Sequence, residues 1–139
     1  EDIATLRGAG AAGGLGGGFK ALLGARLERG VDMVLEAIRF DDIIKECDLV
    51  VTGEGRLDSQ TMMGKAPCGV LQAAKRQGVT CVAIGGTIEK CEELEQSGFA
   101  AMLSVTPEDM PLQQAMQRAV AMANVERAAE QIARLLSCK

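Results

Sequence analysis

Between Thr52 and Lys65 the chain sets Glu54, Arg56, Asp58, Ser59, Gln60 and Thr61 among Gly53, Gly55 and Gly64. Carboxylates can hold a metal or take a proton, cations can face phosphate, and glycines let the backbone approach a ligand closely. A segment that only turned the chain would have no use for two acids, two bases and three hydroxyls, although a solvated surface loop is the plainer alternative. Glu54 and Asp58 are four residues apart and could converge on one metal or one hydroxyl. Arg56 could clamp a carboxylate bidentately or simply pair with one of these acids. Gly64-Lys65 ends like a phosphate-binding loop, but the match fails. Ser59 stands where that motif starts with glycine, and Ala66 replaces the Ser or Thr that would hold magnesium. Lys65 is then either a phosphate-facing charge ahead of a helix or a solvated lysine.

Composition removes other chemistries. Histidine is absent, so Ser-His-Asp and Cys-His nucleophiles and His-ligated zinc are excluded for this segment by itself. The five cysteines form no Cys-x-x-Cys pair and fit no zinc spacing, which points to a reducing, cytoplasmic setting. A net charge of −4 and 2% aromatic residues argue against a nucleic-acid platform. No apolar run approaches the ~20 residues that span a bilayer, so no membrane partner is expected. The 139 residues, 47% hydrophobic, suit one domain with a real core. The chain opens at Glu1 without a methionine and reads as a piece of something longer.

The elements that must position these groups alternate from Asp48 onward. Leu49 to Thr52 reads as a strand and Gly53 to Gly64 as a polar loop; Pro67 to Gln77 reads as a helix whose Val70, Leu71 and Ala74 share a face and which Gly78 stops. Val79 to Ile84 is a second strand ending in a Gly85-Gly86-Thr87 loop, and Glu89 to Gln96 a short helix. Ala100 to Val105 is a third strand, and a long helix runs from about Pro111 to Leu136. Its expected inner stripe is Leu112, Met116, Ala119, Val120, Ala123, Ala128, Ile132 and Leu135. This alternation predicts an α/β fold, a parallel sheet wrapped by helices in the Rossmann-like or flavodoxin-like manner. Ligands of such sheets bind beyond the carboxyl ends of the strands, so Gly53–Gly64, Gly85–Thr87 and Thr106–Asp109 should line one crevice. Three strands make a thin sheet, and further strands are expected from sequence outside this segment.

The first 45 residues differ in composition. A glycine-rich stretch enters a helix, Gly24 turns the chain, a helix covers Val31 to Ile38 with Val31, Val34, Leu35 and Ile38 inward, and Asp41 to Glu46 is a short acidic turn. Gly8-Ala9-Gly10-Ala11-Ala12-Gly13 spells the dinucleotide fingerprint, with Glu28 near the place of a ribose-binding acid. The context is poor, since Asp2 to Arg7 makes a feeble strand. Close packing, or an anion held at a helix entrance, explains the glycines better.

With these residues in view, the chain resembles the C-terminal part of the type 1 bacterial glycerate kinases. The matching stretches are Gly8 to Gly16, Asp48 to Thr61 (Asp-Leu-Val-Val-Thr-Gly-Glu-Gly-Arg-Leu-Asp-Ser-Gln-Thr), Gly64 to Pro67 and the closing Ala133 to Leu136. Met62-Met63 departs from the smaller or more polar pair expected there. The resemblance implies ATP-dependent phosphorylation of D-glycerate with Mg²⁺ in the cytoplasm, by an enzyme of two α/β lobes more than twice this length. Residues 1–45 would then belong to the neighbouring lobe and residues 46–139 to a C-terminal lobe, completed by the remainder of the enzyme's own chain. It implies a site at these matching positions, where side-chain chemistry suggests catalytic roles for Asp58, Lys65 and Arg56 and a metal role for Glu54. Substrate or phosphate contacts would fall to Thr52, Gly53, Gly55, Ser59, Gln60, Thr61, Gly8 and Gly10. Two other readings compete: a dinucleotide-binding oxidoreductase built on Gly8, Gly10 and Gly13, and a non-catalytic α/β module presenting Leu112 to Leu136 to a partner.

Overall fold

The structure, a computed structural model, describes residues 2–137. The chain divides into two compact units, Glu1–Ile38 and Arg39–Lys139. Compositional change alone suggests a division near residue 45. The short helix that follows Ile38 is counted with the second unit, where Arg76 donates two hydrogen bonds to Asp41.

The first unit opens with a 3-10 turn, Ile3–Thr5, passes through tight turns, and forms helices α1 (Leu15–Leu23) and α2 (Gly30–Ala37). Its glycines are needed for close approach. A Cβ on Gly16 would stand 2.5 Å from the Gly8 carbonyl oxygen, and the Gly17 N–H donates to Ala9 across 2.8 Å. The segment ahead of Gly8 is a 3-10 turn and not a strand, so the dinucleotide fingerprint lacks the strand–turn–helix frame that gives it meaning. The expected inward stripe of α2 is not buried. Val34 and Ile38 are exposed, and no α2 residue is fully covered within the described residues.

The second unit contains α3 (Phe40–Ile44), β1 (Leu49–Leu57), a 3-10 turn (Ser59–Met63), α4 (Ala66–Gln77), β2 (Thr80–Ile88), α5 (Glu92–Glu95), β3 (Ala101–Ser104), α6 (Leu112–Ala115) and α7 (Arg118–Ser137). The three strands form one parallel sheet in the order β1-β2-β3, flanked by helices, as the alternation predicts. Helix α4 packs on β1 and β2 through buried Pro67, Cys68, Leu71, Ala73 and Ala74. Pro67 sits in its first turn, where the missing N–H costs nothing, and Gly78 closes it at φ 68. Beyond it, Leu57, Ala83 and Leu94 form a buried cluster against Met62, Ile88, Cys91, Phe99 and Met102.

Three expectations are corrected here. The strands run further than their apolar cores: β1 continues through Gly53–Leu57 and β2 through Gly85–Ile88, so the first part of the Gly53–Gly64 loop and all of Gly85–Thr87 are sheet. Glycine permits this, because a Cβ on Gly53 would lie 2.5 Å from the Ile84 carbonyl oxygen. The helix expected over Glu89–Gln96 shrinks to Glu92–Glu95. The long helix is broken between Ala115 and Arg118, and of its expected stripe Ala128 and Ile132 are buried as expected. Leu112, Met116, Ala119 and Ala123 are exposed, while Ala115, Asn124, Ala128 and Ile132 are buried; the Leu135 side chain lies outside the described residues. The buried set repeats every four residues from Asn124, and Asn124 belongs to it because its amide donates to the Met110 sulfur, a polar contact that an apolar stripe does not anticipate.

Candidate functional site

The end of β1 turns directly into a compact ionic cluster. Asp58 precedes the 3-10 turn and caps it, with Oδ1 accepting from the N–H groups of Gln60 (3.0 Å) and Thr61 (3.2 Å). The Thr61 hydroxyl returns the favour by accepting from the Asp58 N–H at 3.0 Å and donates to Glu54 Oε1. This reciprocal cap fixes the turn because Thr61 is fully buried, so its hydroxyl has no water to fall back on. Lys65 follows Gly64, whose φ of 111 suits glycine, and stands at the cap of α4. Its Nζ lies 3.5 Å from Asp58 Oδ1 and 3.7 Å from Glu54 Oε2.

Arg56 completes the cluster on its exposed side. Its Nε is 3.7 Å from Asp58 Oδ2, and its Nη2 donates to Glu89 Oε2. Glu89, first among the influences, raises the Arg56 pKa above its ordinary value and keeps the guanidinium charged. Glu54 and Asp58 are the more enclosed acids, while Arg56 and Glu89 are over half exposed. Three carboxylates thus face two cations, leaving one negative charge. A shallow hollow lies alongside, lined by Val51, Thr52, Gly53, Glu54, Ile84, Gly85, Gly86 and Val105 at the carboxyl ends of the strands. A second, lined by Gln60, Met63, Gly64 and Lys65, opens at the start of α4, where free N–H groups favour an anion. A carboxylate to take a proton, a lysine beside a helix N-terminus and a glycine-lined hollow are the parts that phosphoryl transfer uses.

The sequence profile of the Glycerate kinase family matches residues 1–137. The chain belongs to that family. It is 45% identical over 134 residues to a glycerate kinase of Halalkalibacterium halodurans, which covers 96% of this chain and 35% of that protein. It is 38% identical over 137 residues to the glycerate 2-kinase of Escherichia coli, covering 98% and 35%. Among solved structures, a chain described as glycerate kinase 2 from Salmonella typhimurium LT2 superposes with a TM-score of 0.62 at 37% identity, covering 98% of this chain and 36% of its own. The chain therefore spans about a third of the length of the curated relatives it matches.

Within this member of the family, Glu54, Arg56, Asp58, Thr61 and Lys65 come together, whereas Ser59 and Gln60 lie exposed on the turn. Thr52 and Gly53 line the hollow and Gly55 is an exposed strand residue. Gly8 and Gly10 lie in the turns of the first unit, Gly8 at φ 90. Met62 is half-buried against the Leu57 cluster, while Met63 is exposed. Glu89 was missed by sequence reasoning. Its signal is the strand register: Leu57 pairs with Ile88, so Asp58 comes level with Glu89, and the Glu89 N–H donates to the Leu57 carbonyl at 2.8 Å.

Proposed function

We propose that this chain forms part of a cytoplasmic glycerate kinase that transfers the γ-phosphoryl group of ATP to a hydroxyl of D-glycerate. The observation that carries this reading is Lys65 Nζ within 4 Å of both Glu54 and Asp58 at the carboxyl end of β1, in a chain of this family. Asp58 Oδ1 is occupied by two N–H groups and Lys65, so Oδ2 is the oxygen that can accept the hydroxyl proton. The hydroxyl oxygen then forms the new bond to phosphorus as the bond from phosphorus to the ADP oxygen breaks. Lys65 meets the charge of the transferring group, and Arg56 holds the carboxylate of glycerate or a phosphate oxygen once its own acids yield it. Gly53 and Gly55 let substrate lie against bare backbone, with Thr52, Ser59, Gln60 and Thr61 as the hydroxyl and amide contacts nearby.

The residues fit a magnesium–nucleotide complex. Mg²⁺ of this kind takes one or two carboxylates and fills its remaining positions with phosphate and water. Glu54 supplies one such carboxylate, since Asp58 keeps Oδ2 for the hydroxyl proton. Bound there, the ion would neutralise phosphate charge, which a cluster of net negative charge cannot do alone. Glu54 would hold it, directly or through water.

The decisive measurement is ATP-dependent phosphorylation of D-glycerate by the whole enzyme carrying Asp58→Asn. Asparagine caps a turn as well as aspartate does, so the thermal midpoint should hardly move. Turnover should fall by about a hundredfold or more, as loss of a general base does. Near-normal turnover would remove Asp58 from the chemistry.

A further inference from the structure

A hollow of about 450 Å³ lies beyond the ionic cluster, between α5 and the loop that leaves β3. That is the size of a site for a small organic molecule. Its floor is apolar. Ile88, Leu94 and Met102 belong to the packed cluster around Leu57, and Met110 closes from the loop. The Met110 sulfur accepts from the Asn124 amide across 3.6 Å, which fixes it at the wall. Two thioethers among aliphatic carbons suit a flat heteroaromatic ring, since sulfur packs well against aromatic edges.

The rim is charged. Glu95 and Glu108 outnumber Lys90, so the lining carries net negative charge. Phosphate is repelled from such a hollow, whereas neutral hydroxyls are not. Carboxylates accept hydrogen bonds from ribose hydroxyls, as the acid of a dinucleotide-binding fold does. An apolar slot rimmed by acids thus fits a nucleoside and rejects an isolated anion.

The hollow adjoins the ionic cluster along the carboxyl edge of the sheet. On β2, Gly85 and Gly86 line the hollow beside Glu54, and the next two residues, Thr87 and Ile88, line this one. After β3, Ser104 and Thr106 line this hollow, while Val105 between them lines the other. The Val105 N–H donates to the Gly85 carbonyl at 2.8 Å and the Ser104 hydroxyl to the Gly86 carbonyl at 3.3 Å, which stitches the wall between the two. Thr87 pairs with Arg56 across the sheet, and Arg56 reaches toward Asp58. A nucleotide whose base enters this hollow leaves its phosphates on the side of Arg56.

We propose that this hollow holds the nucleoside portion of ATP, the purine among Ile88, Leu94, Met102 and Met110 and the ribose hydroxyls on Glu95 and Glu108. The choice of ATP rests on the kinase reading; the placement rests on the hollow and is tested by binding alone.

Calorimetric titration of the whole enzyme with ATP, without glycerate, is the test. Thr87 is an exposed residue of the lining, so Thr87→Trp fills the mouth and leaves the buried floor intact. The ATP dissociation constant should rise at least about tenfold, the loss expected when a buried ring is expelled. That of inorganic tripolyphosphate, which has no base, should stay within about twofold of the parent, because the phosphate contacts are untouched. In Glu95→Gln/Glu108→Gln the preference for ATP over its 2′,3′-dideoxy analogue should shrink about fivefold, since charge-assisted bonds to the hydroxyls are lost. Unchanged ATP affinity in natively folded Thr87→Trp overturns the site, as does an equal loss for tripolyphosphate. If Thr87→Trp loses its native circular dichroism, the two rim carboxylates, both exposed, carry the decision, and an undiminished preference overturns the site. An enzyme that binds ATP in this pattern yet phosphorylates no glycerate upholds the site and sinks the kinase reading. An active enzyme whose variants bind ATP as the parent does sinks the site alone.

Discussion

Thr61 shows how one hydroxyl can tie a candidate site together. It donates to Glu54, a strand residue, and accepts from the backbone of Asp58, which caps the turn that contains Thr61 itself. Because Thr61 is fully buried, its removal strands two polar partners at once. Thr61→Val keeps the shape and deletes the hydroxyl. The expected loss is about 1–3 kcal/mol of stability, read by denaturant titration of the whole enzyme. Turnover should fall as well, because Glu54 loses the contact that fixes its carboxylate. A variant with unchanged stability would mean that water replaces the hydroxyl and that the turn is not held as described. The contrast with Arg56 and Glu89 is instructive. That pair is over half exposed, where ion pairs contribute little, so its value lies in where it leaves the guanidinium and not in stability.

At the scale of elements, the docking of α3 on α4 is pinned by Asp41 and Arg76, joined at 2.8 and 2.9 Å. The hydrogen bonds from Arg76, ahead of the contact from Gln77, hold the Asp41 pKa below its ordinary 3.8. A carboxylate depressed in the folded state stabilises above its unfolded pKa and loses that contribution as pH falls through the folded value. The acid limb of a stability–pH curve should therefore flatten below about pH 4 in Asp41→Asn, relative to the parent. Identical limbs would show that the pair contributes nothing in solution. The same scale explains what the sequence could and could not reveal. The Glu54–Lys65 cluster was legible because all its members lie in one short stretch, and the three strands because their cores are apolar. Strand ends were not legible. Gly53-Glu54-Gly55-Arg56 and Gly85-Gly86-Thr87 carry turn-forming residues, yet bare glycine backbones pair closely enough to stay in the sheet. Glu89 and Asp41 were hidden because their partners lie 33 and 35 residues away. In the last helical segment, alanines on every side blur the periodicity that would mark a buried face.

At the scale of the whole molecule, several large apolar side chains stand open to solvent. Leu22, Leu23, Leu112 and Met116 are each at least 70% exposed, and in the first unit the buried residues are small. Among the described strands β1 pairs with β2 alone, so its other edge presents unpaired N–H and C=O groups beside the half-exposed Val51. Open edges and apolar patches of this kind template association with other chains unless something covers them. A segment spanning about a third of its curated relatives leaves about two thirds of such a protein to supply that cover. Residues 1–139 produced alone should therefore enhance the fluorescence of an apolar dye and sediment as concentration-dependent oligomers. The same residues within the whole enzyme should do neither. Co-production with the part of a relative that this chain does not span should suppress both signals if strand addition at β1 is the cover. A monodisperse, dye-silent fragment would show instead that these surfaces close on one another, and would leave the β1 edge without a need for a further strand.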